Sequence, residues 1–175
     1  MNVILLFLIG LVCGSFLNVV AIRRIQEESF IHGRSKCPGC REMISWYDNI
    51  PLLSFIFLKG HCRHCNQQIS LHYPFIELFS AIMTIALYDH QPNLPLFICL
   101  LIIGYLLIII SLIDWISKNI YIDHLALLLA AVMIFLTLST KLSVEILFGA
   151  VIFGGFFLLL RIIGSYIYKR EAVGM

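Results

Sequence analysis

Charge is what this sequence has least of. Only 13% of its 175 residues are Asp, Glu, Lys or Arg, while 61% are hydrophobic. Soluble domains carry about 25% charged and about 45–50% apolar residues. A water-solvated globule of this size is therefore excluded, and a bilayer is the natural solvent. Net charge is also small, +2, which leaves no electrostatic case for a nucleic-acid partner. The amino terminus lacks the basic stretch that opens a secretory signal. Met1 and Asn2 lead straight into an apolar run, and Arg23 and Arg24 follow it, the wrong flank for cleavage. That run, 3–22, reads as a retained span of the ~20 residues a bilayer requires. No internal repeat, low-complexity tract or glycine-rich nucleotide fingerprint of the soluble type is visible.

What the sequence does have is apolar runs with clear breaks. Further spans are expected at 74–88, 95–113, 120–138 and 144–163. The second is short, so it begins earlier, tilts, or sits in a thinned bilayer. Basic residues alternate between the connections. The first loop holds Arg23, Arg24, Arg34, Lys36, Arg41, Lys59 and Arg63, and the next holds none. Lys118 follows the third span, Lys141 the fourth, and Arg161, Lys169 and Arg170 mark the carboxyl end. By the positive-inside rule the amino terminus is outside, and the first loop, the break at Asp114 and the tail face the cytosol. The expected fold class is thus an all-α polytopic membrane protein of about five transmembrane helices, with a cytosolic zinc-binding loop after the first. Its divisions are a first helix (1–22), the four-cysteine loop (23–73), a four-helix membrane part (74–163) and a tail (164–175).

Four of the six cysteines fall in two pairs, Cys37-Pro-Gly-Cys40 and Cys62-Arg-His-Cys65, with 21 residues between. Each pair can wrap one side of a tetrahedral ion, and four thiolates suit structural zinc with no open ligand position. A cytosolic loop disfavours the alternative of two disulfides. Cys13 and Cys99 lie within spans and read as packing residues. The stretch from Trp46 to Leu58 is too apolar for a free loop. Two readings stand for it: the small core of a zinc-stapled module, or a segment in the membrane interface, where Trp and Tyr are favoured.

Polar residues in or beside the spans are the remaining candidates. Asn18, near Gly10 and Gly14, suits interhelical hydrogen bonding between close-packed helices. Glu77, after Pro74, is an interfacial acid or a buried site group. Asp114 ends the third span, and Asp123 opens the fourth nine residues later. Acids at membrane depth are costly and point to function, although Asp114 also suits an ordinary helix-end charge or cap. His124, next to Asp123, offers a proton or metal partner, although a lone histidine in such a place is more often structural.

These residues together resemble the bifunctional prepilin leader peptidases with N-methyltransferase activity. The matching blocks are Gly14-Ser15-Phe16-Leu17-Asn18-Val19, the cysteine pairs, Trp46…Asp48-Asn49-Ile50-Pro51…Ser54, Gly60, Tyr73-Pro74…Glu77, and Ile113-Asp114 with Ile120-Tyr121-Ile122-Asp123. The resemblance implies an enzyme of the bacterial inner membrane. Such an enzyme cuts the leader of type IV prepilins, or of the pseudopilins of type II secretion, at the cytosolic face. It then methylates the new amino terminus with S-adenosylmethionine as donor. The peptidase would use two aspartates, one accepting a proton from water and one protonating the leaving group. By position Asp114 is the first, Asp123 matches a nearby family acid, and Tyr121 departs from the family's usual proline. The second catalytic aspartate belongs to a Gly-x-Gly-Asp motif. Gly174-Met175 resemble its first two positions, and the Gly-Asp is not among the 175 residues. The expectation is a carboxyl-terminally truncated family member without peptidase activity. The cysteine loop and early blocks are linked in the family to methyl transfer, which places Glu77 and Asn18 near that site. Expected partners are prepilins or pseudopilins and membrane lipids, and self-association stays open. The competing readings are a non-catalytic zinc module that binds pilins or secretion machinery, and a small transporter with Asp114 and Asp123 as an ion relay.

Overall fold

The computed structural model describes residues 2–29, 33–119 and 121–139, and the expected span at 144–163 and the tail lie outside the described residues. The described chain is mostly helical, and no strand is formed among the described residues. Helix α1 is Val3–Ile25, α2 Leu53–Phe57, α3 His72–His90, α4 Leu94–Ser117 and α5 Ile122–Leu138, with a 3-10 turn at Trp46–Asn49 before α2. Two of them, α1 and α4, are long and apolar enough to cross a membrane by length and composition.

The helix ends follow local chemistry. The Asn2 side chain accepts the Ile4 amide at 3.0 Å and opens α1. Asn93 accepts the Leu96 amide at 3.4 Å at the start of α4, with Pro95 in the first turn, where its missing N–H costs nothing. The helices overrun the apolar runs that suggested them. Arg23 and Arg24 continue α1, His72 and Tyr73 open α3 ahead of Pro74, and α4 passes through Asp114 to Ser117. Apolarity locates a bilayer's solvent, but hydrogen bonding and caps decide where a helix stops.

Interhelical contacts set the arrangement. A Cβ on Gly10 would lie 2.5 Å from the Ala81 Cα, and one on Gly14 would lie 2.8 Å from the Glu77 Cα. Backbones therefore touch along an antiparallel α1–α3 seam, and only glycine allows this approach. Leu17 and Ala21 of α1 pack with Ile108, Ile109, Leu112 and Ile113 of α4 in the main buried cluster. Arg24 at the end of α1 pairs with Asp123 at the start of α5 and lies over the Tyr121 ring. The carboxyl ends of α1 and α4 and the amino ends of α3 and α5 are thus at one end of the bundle. Outer faces are apolar, with Ile4, Val12, Phe16, Ile82, Leu127 and Leu129 among the exposed side chains, which suits lipid contact rather than water.

The loop between α1 and α3 contains a repeat that the residue identities conceal. In the first cysteine pair, the Cys37 amide donates to the Glu42 carbonyl, Arg41 to Cys37 and Ile44 to Ser35. In the second, Cys62 donates to Gln67, Asn66 to Cys62 and Ile69 to Gly60. Arg41 and Asn66 both take φ +59°, and single bridges Lys36–Met43 and His61–Gln68 close both turns. The same knuckle is built twice, 25 positions apart. Only the cysteines and the closing isoleucines are shared in sequence, too few to register as a repeat.

Candidate functional site

The two knuckles face each other so that the sulfurs of Cys37, Cys40, Cys62 and Cys65 all lie within 4.8 Å of one another. The Cys37 and Cys65 sulfurs are 3.7 Å apart. Four thiolates about 2.3 Å from a tetrahedral ion would be separated by about 3.8 Å. The donor set fits a metal ion of that size. Electrostatics points the same way. Amides of Cys65 and His64 donate toward Cys62 and lower its thiol to about 6. At Cys40 the Glu42 amide pulls downward, but burial and the neighbouring thiols outweigh it and push the group up to about 11. One thiolate forms readily, further negative charge beside it is resisted, and a bound cation removes the conflict. The Gln67 side chain lies against Gly39 between the two knuckles.

Two contacts tie the intervening stretch into place, and both escaped sequence reasoning. Arg63, inside the second pair, donates to both Asp48 carboxylate oxygens at 2.8 and 2.6 Å and stacks over Tyr47. The guanidinium holds Asp48 below the usual carboxylate range. The second contact is at Glu77, whose Oε2 accepts the Leu52 amide at 2.8 Å. Leu52 has φ +59° and ψ −46°, a conformation that costs a branched residue about 1–3 kcal/mol. A buried carboxylate on its N–H favours that conformation. The signal in sequence was the Asp48-to-Ser54 block itself, but nothing in it names Arg63 or Glu77 as partners.

Glu77 and Asn18 do meet in one structure, the α1–α3 seam. Asn18 is 1% exposed, and its Nδ2 donates to the Gly14 carbonyl at 3.2 Å and the Tyr73 carbonyl at 3.4 Å. Ser80 and Thr84 continue the polar line, with Thr84 Oγ1 2.8 Å from the Tyr105 hydroxyl. Because backbones touch at Gly10 and Gly14, the seam does not fit a molecule the size of S-adenosylmethionine between the helices. Asp114 is exposed on the last turn of α4. Asp123 is also exposed and is held by Arg24 and, at 3.1 Å, by His124 Nδ1. The apolar stretch between the cysteine pairs is not a core, since Trp46 and Phe57 are 76% and 79% exposed. A five-residue helix and one 3-10 turn are too short to enclose such side chains.

Residues 8–90 match the family model described as bacterial peptidase A24 N-terminal domain. Over 179 aligned residues the chain is 32% identical to a prepilin leader peptidase/N-methyltransferase of Myxococcus xanthus, covering 98% of this chain and 51% of that protein. Proteins of the same name from Klebsiella pneumoniae and Vibrio cholerae are 44% and 43% identical. Those alignments cover 61% and 49% of this chain and 50% and 37% of the relatives. No solved structure matches. The chain spans about half the length of the curated relatives it matches most extensively. It belongs to the prepilin leader peptidase/N-methyltransferase family, with the four-cysteine site inside the matched amino-terminal domain.

Proposed function

We propose that this chain works in the processing of type IV prepilins or pseudopilins at the cytosolic face of a bacterial inner membrane, as the leader peptidase/N-methyltransferases do. The alignment with the Myxococcus xanthus relative across 98% of the chain carries the reading. The four-cysteine loop (23–73) faces the cytosol beside the membrane helices of 1–22 and 74–163, with 164–175 as a tail. Cys37, Cys40, Cys62 and Cys65 hold zinc, which with four thiolate ligands supplies structure and no open position for chemistry.

Asp114 is the first of two carboxylates that share the proton work of peptide hydrolysis, one accepting from water and the other donating to the leaving group. Its exposure at the end of the bundle suits a peptide arriving from the cytosol. Asp123 is a second acid at the same end of the bundle, and Arg24 orients it. Glu77 and Asn18 act on methyl transfer by positioning the loop and α1 against α3, since neither is open to a donor. S-adenosylmethionine is the methyl donor in this reading, in keeping with the methyltransferase activity in the relatives' name. The transporter reading loses support from the geometry, because both acids sit at helix ends and Asp123 is already paired.

The test is purified protein in detergent with a prepilin, a pre-cut pilin and labelled S-adenosylmethionine. Methyl transfer to the pre-cut pilin is expected. Neither reaction, with no prepilin bound, would overturn the processing role. Stable capture of prepilin with neither reaction would favour the non-catalytic module.

A further inference from the structure

The stretch between the cysteine pairs turns its largest apolar side chains outward. Trp46, Ile56 and Phe57 are 76%, 66% and 79% exposed, and Tyr47 and Leu53 are about half exposed. Its polar contacts face the other way. Asp48 is bound to Arg63, and Phe55 covers Gly60, with 3.1 Å between its ring and a Cβ there. One side of the stretch is therefore anchored to the second knuckle, and on the other side Trp46, Leu53, Ile56 and Phe57 keep half or more of their surface uncovered.

Glu77 fixes the level of this apolar side. It lies in the second turn of α3 and holds the Leu52 amide, so α2 is kept beside the entry of α3 into the bundle. That level already carries outward apolar groups. Leu71 and Phe75 at the start of α3 are 68% and 65% exposed. Trp115, on the last turn of α4 at the same end, is 76% exposed and has Lys118 Nζ 5.4 Å from its ring. Lys59 is exposed just after α2. Both tryptophans of the chain, a tyrosine and two lysines thus lie at one end of the apolar helices. Aromatic rings with apolar bodies and polar tips, flanked by cations, are placed where acyl chains give way to headgroups.

We propose that residues 46–57 form a lipid-interface anchor, with Trp46, Ile56 and Phe57 seated among the headgroups and held at that depth by the Glu77 carboxylate on the Leu52 amide. The occupant of the apolar side is the bilayer itself, continuous with the lipid-facing surfaces of α3 and α4, and the anchor holds the cysteine cluster close to the membrane. This rests on α1 and α4 crossing the membrane.

The experiment uses the whole chain in vesicles of phosphatidylethanolamine and phosphatidylglycerol. Trp115→Phe leaves Trp46 as the sole tryptophan. Lipids brominated near the headgroup should quench Trp46 about threefold more than lipids brominated near the chain ends, and aqueous iodide should quench it weakly. Glu77→Ala should shift quenching from lipid to iodide, while Glu77→Gln, which keeps an acceptor oxygen, should not. Both variants are compared at unchanged helical circular dichroism. Iodide quenching like that of free tryptophan, without lipid quenching, overturns the anchor and leaves the surface to a protein partner. Unchanged depth in Glu77→Ala overturns the role of the carboxylate. A separate protein with Phe16→Trp, Trp46→Phe and Trp115→Phe reports on α1. Loss of its quenching by deep bromines overturns the membrane reading itself, and the anchor with it.

Discussion

At Glu77 a single hydrogen bond joins a bundle helix to the loop above it, and its partner residue is backbone rather than side chain. That is why the residue was legible as a buried acid but not as a clamp: its role depends on where Leu52 lies, 25 positions away. Asp48 behaves similarly. Its carboxyl is held low by Arg63, so the pair's contribution is present above the ordinary carboxylate range. It fades as pH falls through the lowered Asp48 value. Asp48→Asn should loosen the Tyr47–Arg63 contact at neutral pH and remove that acid dependence, read from the Arg63 Nε–H signal by NMR. Asp114 stood out from its place at a span's end, and the structure adds its exposure but, among the described residues, no partner that assigns its role.

Among the elements, the α1–α3 seam is the least tolerant of added volume. Gly14→Val places methyl groups where a Cβ alone would reach 2.8 Å from the Glu77 Cα. Overpacking of this kind costs about 1–3 kcal/mol. The expected outcome is a lower unfolding temperature in detergent, with the seam opening before the α1–α4 cluster. The cysteine knuckles make the opposite demand, since their short bridges alone do not hold them closed. Metal analysis of reduced protein should find one zinc per chain. Chelation, or Cys37→Ser, should expose the 46–57 stretch to protease while leaving helix content in the bundle nearly unchanged. Absence of metal from correctly folded protein would sink the assignment.

For the whole molecule, the bundle end gathers the four-cysteine loop, Asp114, Asp123 and Arg24 on one side of the helices. Reconstituted in vesicles with its amino terminus facing out, the chain should have its first loop protected from external protease, and in the opposite orientation the loop should be cut. The positive charges that predict this orientation can be counted from the sequence alone, because their number per connection requires no knowledge of packing.

By itself the sequence determined the solvent, the helical class, the positions of the main helices and the four metal-ligand candidates. Each of these follows from composition or from spacing along the chain, which local chemistry dictates. Only tertiary structure decided that the two cysteine pairs are one knuckle used twice, that Arg63 and Glu77 brace the segment between them, and that this segment turns its aromatic side chains outward. Those features depend on contacts between residues far apart in sequence and on glycines that let α1 and α3 touch. The apolar stretch was consistent with a core or an interface until five residues of helix proved too few to bury it.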